Sequence, residues 1–218
     1  MRLKRFTQIL GVMVLHLIQQ CHASNIIISS ATFQPTDSLI NISVMLENNS
    51  ASILNLAAFS FELQLTPLTP GRVEFNSISQ PDSLNNVNYI FAGNSAAQVD
   101  STIPWAVNSL LGGVSNDFTF TDTTNDTLNM SLAANQTKLL ANIWLKPGTG
   151  SFTPQPGDVF TLTIVSSGTS LFDESLNPIT FTSNSGTLAV PVPEPSSVVL
   201  SLIAIGIGMA ARSRTKKS

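Results

Sequence analysis

Cysteine and histidine are nearly missing from this 218-residue chain, and the few present sit at one end: His16, Cys21 and His22 all fall within the first 22 residues. From Ala23 onward there is neither. A body of this composition forms no disulfide, offers no thiolate nucleophile, builds no histidine-based triad and holds no Cys/His zinc site. Positive charge is almost as scarce. Between Ser24 and Val190 the only basic residues are Arg72, Lys138 and Lys146, against twelve acidic ones, a balance of −9 in a chain whose net charge is −3. Such a body repels phosphate backbones, which excludes nucleic acid as a partner. Tyrosine and tryptophan are reduced to Tyr89, Trp105 and Trp144. Between residues 25 and 190 no window of a dozen residues carries a convincing helical period.

What is present begins with the two ends. Arg2-Leu3-Lys4-Arg5 precedes an apolar run through Gly11-Val12-Met13-Val14-Leu15, and Cys21-His22-Ala23 follows. This order reads as a secretory signal peptide over residues 1–23, an apolar helix cleaved between Ala23 and Ser24. A lipoprotein signal acylated on Cys21 is the alternative, set against by Gln19 and Gln20 where small residues are wanted. Phe6 to Ile18 is short for an uncleaved anchor. At the other end, Val190-Pro191-Val192-Pro193-Glu194-Pro195-Ser196-Ser197 leads into the apolar segment Val198 to Ala211 and then a basic tail. Alternating prolines make the first part an extended spacer. Fourteen apolar residues give about 21 Å of helix against a hydrocarbon core of roughly 30 Å. A transmembrane helix over about 196–211 therefore recruits Ser196-Ser197 and lets Arg212 snorkel. The tail, with Arg212, Arg214, Lys216 and Lys217, stays cytoplasmic while the body is exported.

Pro193-Glu194-Pro195, an apolar helix and a terminal Arg/Lys cluster, in that order, resemble the PEP-CTERM sorting domain of bacteria with Gram-negative envelopes. The resemblance covers about the last 28 residues, 191–218. It implies recognition by exosortase, a membrane protease-transpeptidase that cuts near the Pro-Glu-Pro. The sorting motif would be Pro193, Glu194 and Pro195, and the retention tail Arg212, Arg214, Lys216 and Lys217. The body would pass through the inner membrane to the cell surface or extracellular matrix. An ordinary tail anchor with a proline spacer is the plainer reading. Gly206-Ile207-Gly208-Met209-Ala210-Ala211 fits a dinucleotide fingerprint by letter, but it lacks the preceding strand and the downstream acid.

Within residues 24–190 the pattern is period two. Leu39 to Leu46 alternates, and Phe59, Phe61, Leu63 and Leu65 share one face of Phe59 to Leu65. Further strands are expected at Ile26 to Phe33, Arg72 to Ile78, Asn88 to Ala92, Asp117 to Thr121, Leu128 to Ala133, Lys138 to Leu145, Val159 to Val165 and Thr187 to Val190. About ten short strands divided by Asn, Gly, Pro and Asp clusters predict an all-β, antiparallel β-sandwich. The expected core is Phe59, Phe61, Leu63, Leu65, Phe75, Ile90, Leu139, Ile143, Leu145, Phe160, Leu162 and Ile164. Asp100 to Gly113 reads as the longest irregular excursion, with a helical turn near Pro104-Trp105. Leu56 to Leu65, Leu140-Ala141-Asn142-Ile143-Trp144-Leu145 and Gly157 to Leu162 resemble the cohesin-like pattern. That resemblance implies a jelly-roll of about nine strands whose best-known members bind dockerin modules, with related sandwiches binding carbohydrate.

Candidate chemistry in the body is sparse. Hydrolysis of a glycosidic bond needs two carboxylates about 5 to 10 Å apart, one with a raised pKa, and no pair among the acids stands out. Glu62 lies on the face opposite Phe61, toward solvent, and Asp173-Glu174 falls in a turn before Asn177-Pro178. Asp117, Asp122, Asn125, Asp126 and Asn129 offer oxygen ligands for calcium within 13 residues, without a loop signature, and hairpin turns explain them as well. Trp105, after Pro104 in an irregular stretch, is the candidate platform for ligand stacking. Trp144 lies in an alternating strand and reads equally as core. Asn-x-Ser/Thr at Asn41, Asn48, Asn125, Asn129 and Asn135 follows from composition and marks a glycan only in a host that modifies such sites.

The sequence thus predicts an exported, non-enzymatic protein of the cell surface or matrix, structural or adhesive, with exosortase and the inner membrane as partners in transit. Exopolysaccharide or another matrix component is the expected contact. The alternative is a carbohydrate- or dockerin-binding module, and behind it a carboxylate-dependent glycoside hydrolase. No cofactor or metal is called for.

Overall fold

The computed structural model describes residues 24–66, 72–76, 81–100, 106–111, 114–126 and 128–193, with backbone only for 81–82 and 106–116. The segments expected to form the signal peptide, the transmembrane helix and the basic tail lie outside these residues. Among the described residues no helix is long and apolar enough to cross a membrane.

Among the described residues fourteen strands form in chain order: β1 Ser24–Ile28, β2 Ala31–Thr32, β3 Ile40–Asn48, β4 Leu54–Leu56, β5 Ala58–Thr66, β6 Val73–Phe75, β7 Ala106–Leu111, β8 Val114–Thr123, β9 Met130–Leu132, β10 Thr137–Pro147, β11 Val159–Ile164, β12 Ser170–Phe172, β13 Phe181–Asn184 and β14 Gly186–Ala189. Two single helical turns, α1 Pro81–Leu84 and α2 Ala96–Val99, interrupt them. One sheet runs β13-β1-β3-β10-β6; the other runs β2-β14-β11-β5-β8-β7, with β12 extending the β11 edge of β5. A small ribbon, β4-β9, stands apart. Pairing is antiparallel except for β1 with β13 and β2 with β14.

The alternation of β3 and β5 builds the core. Ile40, Ile42, Val44 and Leu46 point inward from one sheet, and Phe59, Phe61, Leu63 and Leu65 from the other, all buried. Phe59, Phe61, Phe91 and Phe120 stack with ring centroids 5.5 to 6.0 Å apart, a spacing at which aromatic pairs attract beyond area burial. Eleven of the twelve expected core residues are buried, and Ile164 packs half-buried against the cluster. A β-bulge between Leu139 and Ala141 breaks the alternation, so that three successive residues are buried: Ala141 pairs with inward Val44, whereas Leu139 pairs with Met45 on the other phase and is bridged by Tyr89.

The structure corrects three expectations and adds three strands that the sequence did not reveal. Asn88 to Ala92 is a run of turns, with a single bridge from Tyr89 to Leu139; Asn86 accepts from the Asn88 N–H at 2.9 Å and satisfies locally a group that a strand would have paired. Ala106 to Leu111, expected to be irregular, is a strand because β8 offers it an edge. Ile26 to Phe33 is broken at Ser29-Ser30, where the chain steps from one sheet to the other. Strands β4, β12 and β13 are too short, at three or four residues, to show a period.

The register fixes where the chain enters and leaves. Ser24 pairs with Asn48 at the C-terminal end of β3. Ile40, at the other end of β3, pairs with Leu145; the next strand along is β6, where Val73 faces Pro147. Arg72 ion-pairs Asp158 at 2.5 Å, and the Val190 N–H donates to the Asp158 carbonyl at 2.9 Å. Ser24 and Val190 therefore lie at opposite ends of the sandwich, separated by the length of β3, about 27 Å at 3.4 Å per residue.

Candidate functional site

Two polar assemblies break the apolar interior. The first centres on Asp122, in phase with Phe118 and Phe120 on the inward face of β8 and fully buried. Its carboxylate accepts from the Tyr89 hydroxyl, from Ser95 Oγ at 2.6 Å, and from the backbone N–H groups of Ala97 at 3.1 Å and Thr123 at 2.8 Å. Ser95 Oγ also accepts from Gln98 N–H at 3.1 Å and caps α2. Burial, then the neighbouring Asp122 carboxylate, pushes the Tyr89 phenol far above its ordinary range, so it stays protonated as a donor. The assembly fastens residues 81–100 over the end of the aromatic stack.

This geometry disperses the Asp and Asn side chains that the sequence offered as oxygen ligands. Asp122 is spent inside; Asp117 accepts from Gln64 Nε2 at 3.3 Å further along β8; Asp126 accepts from Asn94 Nδ2 at 2.8 Å and the Leu128 N–H at 3.0 Å. The Asn94 amide is the main cause holding the Asp126 carboxyl below the usual range. Among the described residues no three His, Cys, Asp or Glu side chains converge on one point.

The second assembly lies at the entry end. Asn48, the last inward residue of β3, is buried; its Nδ2 donates to the carbonyls of Ser52 at 2.8 Å and Leu132 at 2.9 Å, and its Oδ1 accepts from Ser50 N–H at 3.0 Å and Ser50 Oγ at 2.7 Å. It ties β3 to the β4-β9 ribbon, and the sequon reading of Asn48 fails for that reason. Beside it is a depression of about 280 Å³ lined by Ser24, Asn48, Ile53, Asn55, Asp173 and Ile179, among others. Asp173 organises the neighbouring turn, accepting from Ser175 N–H at 2.9 Å, Asn177 N–H at 2.8 Å and Asn177 Nδ2 at 3.0 Å; the Asn177 amide is the first cause of its lowered pKa. Ser24 Oγ is buried without a hydrogen-bond partner.

Of the residues singled out from the sequence, Ser24 begins β1 and Pro193 is exposed at the last described position. Ala23, Trp105, Glu194, Pro195, Arg212, Arg214, Lys216 and Lys217 lie outside the described residues. Trp144 is half-buried on the outward phase of β10, opposite Asn41. Glu62 is half-buried rather than free in solvent, with its carboxylate where a side chain at Gly168 would stand. Two further acids hold the frame: Glu74 ion-pairs Lys146 at 3.0 Å and Asp158 pairs Arg72.

No family model and no curated protein matches the sequence. Solved structures do match the fold. A chain of a type I cohesin–dockerin complex from Clostridium thermocellum aligns over 79% of this chain and 96% of its own at 10% identity and TM-score 0.54. The sixth cohesin of Acetivibrio cellulolyticus scaffoldin B, solved in a complex with a dockerin, aligns over 77% and 99% at 12% identity and TM-score 0.52. A type I cohesin from Pseudobacteroides cellulosolvens aligns over 80% and 96% at 12% identity and TM-score 0.51. The body is a cohesin-like jelly-roll β-sandwich, and at these identities the likeness is one of fold.

Proposed function

We propose that this chain is an exported, non-enzymatic module displayed at the cell surface or in the extracellular matrix, delivered through its C-terminal Pro-Glu-Pro sorting signal. The observation that carries the reading is the placement of the sandwich between its two ends. Ser24, the first residue after the expected cleavage, opens β1, and the proline spacer leaves from the opposite end at Val190. A body held by its C-terminal tail then presents its Ser24 end outward. The acids described above brace strands and turns, which favours a binding or structural role over hydrolysis. A second reading, a module for a folded protein partner, is favoured by the likeness to chains solved in cohesin–dockerin complexes.

The test is intact mass of the protein recovered from membrane, cell-surface and medium fractions, with and without the sorting protease. A species beginning at Ser24 and ending near Pro193 to Pro195, lost in the protease-free strain, is the expected result. A full tail through Ser218 in the membrane fraction of both strains would replace sorting with simple tail anchoring.

A further inference from the structure

We propose that the end of the sandwich from which the proline spacer leaves is a docking surface for a lipid bilayer, on which the body rests while its tail holds it. The proposal deepens the display reading and rests on it for the tail's place in the membrane.

Nine large hydrophobic side chains are exposed among the described residues, and four belong to this end: Leu39, Phe152, Val159 and Val192. Leu39 precedes Ile40, which the register sets opposite Leu145, and Val159 opens β11 opposite Ala189. Phe152 closes the short helical turn Gly150–Phe152, on the loop that joins the end of β10 to the start of β11. Val192 lies beside the same loop, its Cγ2 3.5 Å from where a Cβ on Gly157 would stand. The backbone here is fastened, since the Gly157 N–H donates to the Val190 carbonyl at 2.9 Å and the Val190 N–H to that of Asp158 at 2.9 Å. Phe152, at 52%, is the aromatic side chain most exposed among the described residues, and Val192 is 66% exposed. Apolar side chains gathered at one end and left in water favour a partner that covers them.

Charge separates this end from the rest of the body. Its acids are Glu74, Asp158 and Asp37, the last in the loop between Phe33, whose N–H donates to the Ala189 carbonyl, and Ile40. Each is engaged: Asp37 accepts from the Gln34 N–H at 2.7 Å, Glu74 ion-pairs Lys146 and Asp158 ion-pairs Arg72. Three acids against two basic residues leave −1 here, and −8 for the remainder of residues 24–190. A layer of anionic headgroups therefore repels the rest of the body far more than this end.

The spacer length selects lipid as the occupant. Four peptide steps lead from Val192 to Ser196, where the expected membrane segment starts. A proline-rich chain rises about 3.1 Å per residue, so Val192 stands within about 12 Å of the hydrocarbon edge. The headgroup layer alone is about 6 Å deep on each side. A body tethered so closely meets lipid first, and aromatic and aliphatic side chains are what interfacial anchors bury there. Docking turns the Ser24 end outward and holds Pro193-Glu194-Pro195 at headgroup depth, within reach of a membrane protease.

The experiment uses the tail-bearing chain purified from the membrane fraction, in a Cys21→Ser background, reconstituted into vesicles of phosphatidylethanolamine and phosphatidylglycerol. A single environment-sensitive fluorophore is attached through Ser151→Cys, beside Phe152, or through Ser175→Cys, beside Leu176 in the turn at the Ser24 end; both serines are exposed. Blue-shifted emission and quenching by nitroxide lipids are expected for the label beside Phe152, and neither for the label beside Leu176. Phe152→Asp and Val159→Asp are each expected to reduce that quenching about threefold, since each removes apolar contact and adds a charge that headgroups repel. Thermal melting checks that the variants fold. A label beside Phe152 that stays in water while the chain floats with the vesicles overturns docking and leaves the tail reading standing. Quenching that both substitutions leave unchanged is tether proximity alone, and a blue shift without lipid quenching assigns this end to a protein partner; either result overturns the proposal. A chain that does not float with the vesicles overturns the tail reading and the proposal with it.

Discussion

A carboxylate on the inward face of a strand survives only where donors meet it, and Asp122 has four. Asp122→Ala removes the acceptor and strands the Tyr89 and Ser95 hydroxyls in the interior. The expected cost is about 3–5 kcal/mol, read as a lower urea midpoint with an unchanged slope. An unchanged midpoint would mean the network adds nothing to stability. The sequence carried a trace of this residue that hairpin-turn reasoning passed over. Asp122 keeps the phase of Phe118 and Phe120, Asn48 that of Val44 and Leu46, and Ser24 that of Ile26 and Ile28. A polar residue in inward phase at a strand end is a signal for a buried hydrogen-bond hub or a site. What supplies the partners, here Tyr89 and Ser95 for Asp122, comes from 27 to 33 residues away, and no local pattern announces it.

At the scale of elements, alternation was enough to identify β3, β5, β8, β10 and β11, because each has one face against the core and one toward solvent. It failed at β7, which is a strand by virtue of a neighbour's edge. It failed too at Asn88 to Ala92, where asparagines satisfy the backbone locally. The step between sheets depends on one small residue. A Cβ on Gly186 would stand 2.5 Å from the Ser29 carbonyl oxygen and 2.6 Å from Ile28 Cγ2, where β1 passes into β2 beside β13 and β14. Gly186→Ala is therefore expected to destabilise by about 1–3 kcal/mol, since backbone has to move to admit the methyl. Denaturant unfolding of the variant checks this, and a neutral or stabilising effect would show that the crossing is looser than described.

For the whole molecule, the acid excess meets pH through turn carboxylates that are held below their ordinary range. Asp126 is held chiefly by the Asn94 amide, Asp173 by the Asn177 amide, and Asp158 by the Gln155 N–H with Arg72 behind it. A depressed folded pKa means that the unfolded chain takes up protons first. Stability is then full above the unfolded value of about 3.9 and is lost as pH falls through the folded values. The urea midpoint should be flat from about pH 7 to 5 and fall below about pH 4; a midpoint that holds there would show these bonds to be immaterial. The sequence by itself determined the sandwich and its core, because inward positions repeat every two residues and burial follows that period. It also determined which chemistries are absent, because residue types missing from residues 24–190 cannot be supplied by folding. Only the tertiary structure decided that Asp122 is a buried brace rather than a metal ligand, and that Ser24, Asn55 and Asp173 meet at the end opposite Val190. Those facts bring together residues 27 to 149 positions apart, set by sheet pairing and register, which no window of sequence contains.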